Sequence, residues 1–170
     1  MTLRQFVPNE ACLKCKGCCR FREENSVWLP CLLDEETQGF LDRKDLPAAT
    51  LSADRRLHPV FNPAEGNYLC PFFHFQENKC RVYSFRPFEC QLYPFLINLR
   101  QGKVILTVDL NCPYVKGKMG SEEFRKYVNY LSEFLNAPPR IKLFKRNPQL
   151  LQAYEEVAEV IQLNWDDEIK

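Results

Sequence analysis

The residues of this chain best equipped for chemistry are its cysteines. Four of them, Cys12, Cys15, Cys18 and Cys19, occupy eight positions in the stretch CLKCKGCC, and Cys70, Cys80, Cys90 and Cys112 follow at wider intervals. Two residues between thiols is a spacing at which a short loop brings successive thiolates onto one centre, as in zinc knuckles and the C-x2-C-x2-C run of bacterial ferredoxins. In the ferredoxin run a remote cysteine is followed by proline, and here Cys112 precedes Pro113. The adjacent pair Cys18-Cys19 suits two different centres, or a bridge within a multinuclear one, because neighbouring side chains of an extended segment point to opposite sides. Lys14, Lys16, Arg20 and Arg22 surround the group. Such cations either lower thiol pKa values or simply keep an irregular loop soluble.

The ninth cysteine, Cys31 in WLPCLL, reads as a small hydrophobe and not as a ligand. His58 lies in a poorly patterned loop and His74 alternates with Phe73 and Phe75, so neither is expected to bind metal. The opening MTLRQFVPNEAC has no apolar h-region of a secretion signal, and no run approaches the ~20 apolar residues of a membrane helix. The expected compartment is therefore the cytoplasm, where clustered cysteines bind metal more often than they pair as disulfides. An odd cysteine count points the same way. With 23 Lys and Arg against 22 Asp and Glu, the formal net charge of +1 gives no general pull toward nucleic acid or an anionic membrane. Neither is expected as a partner.

Motifs for catalysis are missing. There is no C-x3-C-x2-C of radical enzymes, no Gly-rich phosphate or dinucleotide loop and no H-E-x2-H. A thiol–disulfide role would need a βαβ setting around C-x2-C, and a zinc-ribbon module would need paired C-x2-C knuckles where the later cysteines stand C-x9-C apart. If all eight patterned cysteines are ligands, no open coordination position is evident for a catalytic metal. A metal-dependent enzyme acting on a partner-supplied substrate is the second reading. A metal-binding protein, redox-active or accessory to a partner enzyme, is the first.

The elements that must position these residues read as follows. Residues 1–31 form an irregular, loop-rich segment, and LLDEETQGFLDRK (32–44) a short helix with Asp34, Glu35 and Glu36 at its N-terminal end. Residues 45–68, with Pro47, Pro59, Pro63 and Gly66, read as a long surface loop. YLCPFFHF and CRVY, joined by QENK, predict a hairpin with Asn78 near its turn. PFLINL and VILTVDL around RQGK predict a second, with Gly102 supplying the turn. A helix opens at Ser121 and puts Phe124, Val128, Leu131 and Leu135 on one face, stopping before Pro138-Pro139. A second is expected from Asn147-Pro148, with Leu150, Leu151, Tyr154, Val157 and Ile161 on one stripe. The expected fold is α+β: one small domain over residues 1–170, with two β-hairpins, an irregular cysteine-rich N-terminal segment and a C-terminal part of two helices (121–165).

Taken in order, C-x2-C-x2-C-C, a cysteine before a hairpin, and C-x-V-Y-x2-R-P-x2-C-x2-Y-P resemble the CxxCxxCC cysteine-cluster family, a zinc- or iron-chelating domain (YkgJ-like). The residues carrying the likeness are Cys12, Cys15, Cys18, Cys19, Cys70, Cys80, Val82, Tyr83, Arg86, Pro87, Cys90, Tyr93 and Pro94, and Cys112 with its proline looks like the family's final cysteine. The motif region is 12–113. The resemblance implies a metal centre held by Cys12, Cys15, Cys18, Cys19, Cys70, Cys80, Cys90 and Cys112, as one polynuclear site or two four-ligand sites. All-sulfur sites accept zinc and [4Fe–4S] clusters alike. A related domain, associated with flagellin lysine methylation, turns the expectation toward an iron–sulfur cluster, with zinc as the alternative. Arg86 and Tyr83 are the candidates to touch the centre from outside its ligands, Arg86 by donating to sulfur or, alternatively, pairing with Glu89. Tyr83, Tyr93, Phe72, Phe73, Phe75, Phe85, Phe88 and Phe95 are expected mostly in the core.

Overall fold

Strand-forming residues occur here in short bursts in the N-terminal half and in longer alternating runs beyond it, and the architecture divides accordingly. A computed structural model describes residues 3–15, 17–43 and 51–165 and shows two compact units, residues 1–91 and 92–170. Helices and small antiparallel sheets together make the fold α+β. No helix among the described residues is long and apolar enough to cross a membrane.

The first unit begins with helix α1 (Asn9–Lys14) and the two-residue strand β1 (Arg20–Phe21). Helix α2 (Asp34–Leu41) matches the expected short helix; its three acidic residues lie in the first turn, where the helix dipole favours them. The stretch expected as a long loop contains a hairpin, β2 (Val60–Asn62) and β3 (Asn67–Leu69), turned by Gly66 at φ +64°. Three residues per strand are too few to show a period of two, which hid it from the sequence. Residues 44–50 of that expected loop lie outside the described residues. The sheet order is β1-β3-β2, so β3 is central. Strands β4 (Phe73–His74) and β5 (Lys79–Cys80) form the predicted hairpin in shortened form, with Asn78 at φ +50° in the turn. Tyr68 and Leu69 of the expected first arm belong to β3 instead. A 3₁₀ turn (Tyr83–Phe85) and helix α3 (Phe88–Leu92) follow. The core gathers Phe21, Leu29, Leu32, Phe40, Leu57, Cys70, Phe72 and Val82. Phe40 stacks on Phe72 with ring centroids 5.4 Å apart.

The second unit is built on longer elements. Strands β6 (Phe95–Arg100) and β7 (Lys103–Val108) form the predicted hairpin about Gln101 and Gly102, both at positive φ, the conformation a two-residue type I′ turn requires. Helix α4 (Pro113–Lys116) is short, and α5 (Glu122–Asn136) is the predicted helix. The Ser121 hydroxyl accepts from the Phe124 N–H at 3.1 Å as its N-cap, and Phe124, Val128, Leu131 and Leu135 are all buried. Phe95 of β6 stacks on Phe124 of α5.

The second C-terminal helix sits elsewhere than expected. Pro138-Pro139 do not close the helical region; they open α6 (Pro138–Arg146), since proline is tolerated in a first turn whose N–H groups have no helical acceptor. Asn147, expected as a cap, is buried and donates to the Leu143 carbonyl at the end of α6. Beyond it lie a 3₁₀ turn (Pro148–Leu150) and strand β8 (Ala158–Gln162), which pairs antiparallel with β7. Leu150 and Tyr154 are buried as the helical stripe implied, but from the 3₁₀ turn and the irregular stretch that follows it. Its Tyr154 carbonyl accepts from Asn98 Nδ2 at 2.8 Å and from the Arg100 guanidinium at 2.9 Å.

Candidate metal centre

The cysteines are carried by several small pieces of backbone. Cys12 lies inside α1, and Cys15 leaves it in an extended conformation, its N–H still bonded to the Cys12 carbonyl at 3.1 Å. Cys18 and Cys19 lead into β1 through a turn in which the Arg20 N–H reaches the Gly17 carbonyl. The Cys70 N–H donates to the Cys19 carbonyl at 3.0 Å, extending the β1–β3 ladder by one bond and setting these two cysteines side by side. Cys70 is joined to the β4–β5 hairpin by the Phe73 N–H on its carbonyl, and Cys80 stands opposite Phe73. Cys90 comes from α3. Seven thiols of the first unit thus arrive from α1, the strand ends, the hairpin and α3.

Their electrostatics show that they are neighbours. Cys18 hydrogen-bonds the Cys12 thiol and, with burial, pushes it up against the lowering influence of Tyr83 and Arg86. The Cys18 thiol, on a residue that is itself exposed, is lowered by Cys12, but the contact with Cys19, the crowding of protein around the sulfur and the charges of Cys19 and Cys15 outweigh that and push it up to about 12. Cys19 is lowered by Cys18 yet raised on balance by burial and by Cys70, Cys90 and Cys80. Burial first, then neighbouring thiols, raises Cys70 to about 12 and Cys90 well above its ordinary value. Burial likewise raises Cys80, with Arg86 acting against it. No disulfide joins any of the nine cysteines. Nor do any three Cys, His, Asp or Glu side chains among the described residues stand in formed ligand geometry. Burial and mutual contact favour the thiol form of Cys12, Cys18, Cys19, Cys70, Cys80 and Cys90, so metal binding there would be coupled to proton release. A crowded, all-sulfur donor set of this kind fits zinc or iron.

One cation is aimed at the group. Arg86 Nη1 donates to Cys12 Sγ at 3.8 Å, its Nη2 donates to Gln5 Oε1 at 2.6 Å, and the guanidinium lies 4.1 Å from the centre of the Tyr83 ring. The Tyr83 hydroxyl donates to Asn9 Oδ1 at 3.0 Å. Glu89, the alternative partner of Arg86, accepts from the Cys31 N–H at 2.6 Å. The charge of Arg20 is taken up by Glu65 at 3.7 Å, Asn78 at 3.2 Å and the Phe73 ring. Lys16 lies outside the described residues.

The remaining candidates fall away from the thiols or into the other unit. Cys31 is fully buried, its thiol pushed up to about 12 by burial and then by Glu89. His74 accepts from the Glu77 N–H, and His58 lines a small cavity with Glu24, Asp54 and Arg56. Cys112 is buried in the second unit as the N-cap residue of α4. Tyr93, also there, donates to Asp109 Oδ2 at 2.8 Å. Of the aromatic belt, Phe72, Phe88 and Phe95 are buried, while Phe75 and Phe85 are exposed. Gln5 and Asn9, which hold Arg86 and Tyr83, went unseen in the sequence because a neutral amide carries no chemical signature of its own.

Thiols gathered in this way from separate elements point to a metal-chelating class of protein. The chain belongs to the CxxCxxCC family, whose description reads "Putative zinc- or iron-chelating domain" and whose model matches residues 11–113. It is similar to the uncharacterized protein MJ0661 of Methanocaldococcus jannaschii, 31% identical over 72 residues, a match covering 39% of this chain and 40% of the relative. The chain thus matches well under half of that relative's length. No solved structure matches it.

Proposed function

We propose that this protein is a cytoplasmic metal-binding protein that holds an iron–sulfur cluster through Cys12, Cys15, Cys18, Cys19, Cys70, Cys80 and Cys90, and serves in electron transfer or in support of a partner enzyme. Zinc in the same thiols is the second reading, supported by the family description, which names both metals, and by the tolerance of all-sulfur sites for either. The observation that carries the proposal is the gathering of seven thiols from separate elements with the Arg86 guanidinium on Cys12 Sγ. Arg86 would offset thiolate charge and donate to sulfur, and Tyr83 would hold it in place. Cys112 stays a candidate ligand on the family pattern alone. A protein partner is proposed; nucleic acid and membrane are not, given the near-zero charge.

The test is metal and acid-labile sulfide analysis of protein purified without air, with its visible spectrum. Iron with matching sulfide and a broad visible band is the expected result. Zinc without sulfide in a colourless sample would leave metal binding intact and remove the redox role. Cys15→Ser and Cys90→Ser should each lower bound metal and melting temperature together.

A further inference from the structure

The cations of the first unit are not spread evenly. Residues 12–22 carry Lys14, Lys16, Arg20 and Arg22, residues 78–88 carry Lys79, Arg81 and Arg86, and neither stretch holds an Asp or Glu. Helix α2 has the opposite character, with Asp34, Glu35 and Glu36 and no cation. The fold brings the two basic stretches together. Helix α1 packs on β5, the Tyr83 hydroxyl donates to Asn9, and Arg86 donates to Cys12. Arg20 of β1 donates to Asn78, in the turn of the β4–β5 hairpin, at 3.2 Å. Helix α1, the end of β1, the hairpin and the 3₁₀ turn thus meet in one region, which also carries the exposed Cys18.

Some of this charge is satisfied within the unit and some is not. Arg20 pairs with Glu65, Lys79 with Glu77, and Arg86 donates to Cys12 Sγ and Gln5. Lys14, Arg22 and Arg81 are exposed and make no ion pair among the described residues. Apolar side chains are exposed beside them: Leu13 on α1 at 39% and Phe75 at the hairpin turn at 42%. Apolar contacts within a rim of unpaired like charge are the make-up of a protein docking face, the charge steering the approach and the apolar groups being buried on contact.

We propose that this basic face of the first unit docks an acidic protein partner, with Leu13 and Phe75 in apolar contact and Lys14, Arg22 and Arg81 paired to the partner's carboxylates. The inference rests on the partner-protein reading above and adds the partner's chemistry: an acidic surface with an apolar patch, brought up to the exposed Cys18. Protein carboxylates match this face better than a single-stranded nucleic acid does. Bases need open aromatic faces on which to stack. Here Arg20 lies 4.6 Å from the centre of the Phe73 ring and Arg43 lies 4.3 Å from that of Phe85, so the chain's own guanidinium groups occupy those rings.

The experiment titrates the full chain, purified without air, with labelled poly-L-glutamate as the probe. Affinity is read by fluorescence anisotropy and contacts by zero-length carbodiimide cross-linking, with metal content measured on the same samples. Binding should weaken as salt is raised, since the contacts are exposed charges. Arg22→Glu/Arg81→Glu should lower affinity about tenfold or more, and the neutral Arg22→Gln/Arg81→Gln by less, each with the metal content of the wild type. Cross-links should fall on Lys14 and Lys79. Lys142 and Lys145 of α6, also exposed, are the internal comparison and should stay unlinked. No binding, cross-links concentrated on α6, or undiminished affinity in the charge-reversed variant would overturn the docking face. So would loss of metal from the neutral variant, which would assign these cations to the thiols instead. Tighter binding of polyuridylate or of phosphatidylserine vesicles, charge for charge, would overturn an acidic protein as the partner. A wild type that holds no metal yet binds the probe at Lys14 and Lys79 would remove the metal reading and support the docking face, so the two failures are distinct.

Discussion

The two units of this chain are made of contrasting materials. In the second, six-residue strands and a 15-residue helix bury Phe95, Leu106, Val108, Leu131, Leu135, Phe144 and Trp165, an apolar core laid down by regular periodicity. In the first, no strand among the described residues exceeds three residues and the longest helix there has eight, yet it carries Cys12, Cys15, Cys18, Cys19, Cys31, Cys70, Cys80 and Cys90, all the cysteines but Cys112. Isolated two-stranded ribbons and single-turn helices are marginal by themselves. The contrast teaches that regular structure and clustered thiols are alternative ways to fix a backbone. One unit is held by what its elements bury; the other has its own core around Phe40 and Phe72, to which, on the proposed function, metal bound by its cysteines would add.

The largest expected effect separates the two. Stripping metal with a chelator under reducing conditions should loosen the first unit and leave the second in place, because ligand convergence supplies folding free energy on the order of 10 kcal/mol at structural metal sites. Hydrogen exchange by mass spectrometry reads this directly. Peptides from β1–β5 should lose protection on stripping, and peptides from β6, β7 and α5 should keep it. Equal loss in both would break the comparison. A smaller effect sharpens it from the other side. Leu131 is fully buried on α5, and Leu131→Ala should destabilise the second unit by about 2–5 kcal/mol. Bound metal should be unchanged, and a parallel fall in metal content would contradict independent sources of order.

The same contrast decided what could be read in advance. Hairpin β6–β7 was legible because six alternating residues meet across a two-residue turn with Gly102, and α5 because Ser121 caps a run with an apolar residue each turn. Strand β8 was not. Leu150, Tyr154, Val157 and Ile161 match a helical stripe, but Ala158–Gln162 finds the free edge of β7, and tertiary pairing outweighs local period. Helix α6 was hidden by reading Pro138-Pro139 as a stop when they are a start. In the first unit the cysteines announced themselves by spacing, and Arg86 came with the family resemblance. Its polar fastenings did not: Gln5 on Arg86, Asn9 on Tyr83 and Glu89 on the Cys31 N–H depend on contacts between distant positions that no local pattern records.

Glu36 is the fastening that best tests how far the first unit relies on polar contacts as well as thiols. Its carboxylate accepts from the Leu33 N–H at 3.0 Å, closing the first turn of α2, and from the Phe88 N–H at 2.7 Å, at the start of α3. Glu36→Ala removes both acceptors and should cost about 1–3 kcal/mol, less than Leu131→Ala and far less than loss of metal. Burial raises the Glu36 pKa above its ordinary 4.5, with the Leu33 and Phe88 N–H groups pulling the other way. A carboxyl whose folded pKa is raised binds its proton more tightly in the folded chain. Its linkage contribution is therefore complete below the ordinary value and is lost as pH rises through the raised one. The stability gap between wild type and Glu36→Ala should narrow over that interval, read from chemical denaturation at a series of pH values. A gap that widens with rising pH would mean that the two N–H bonds outweigh burial, and that the first unit is held by its polar contacts more firmly than the comparison allows.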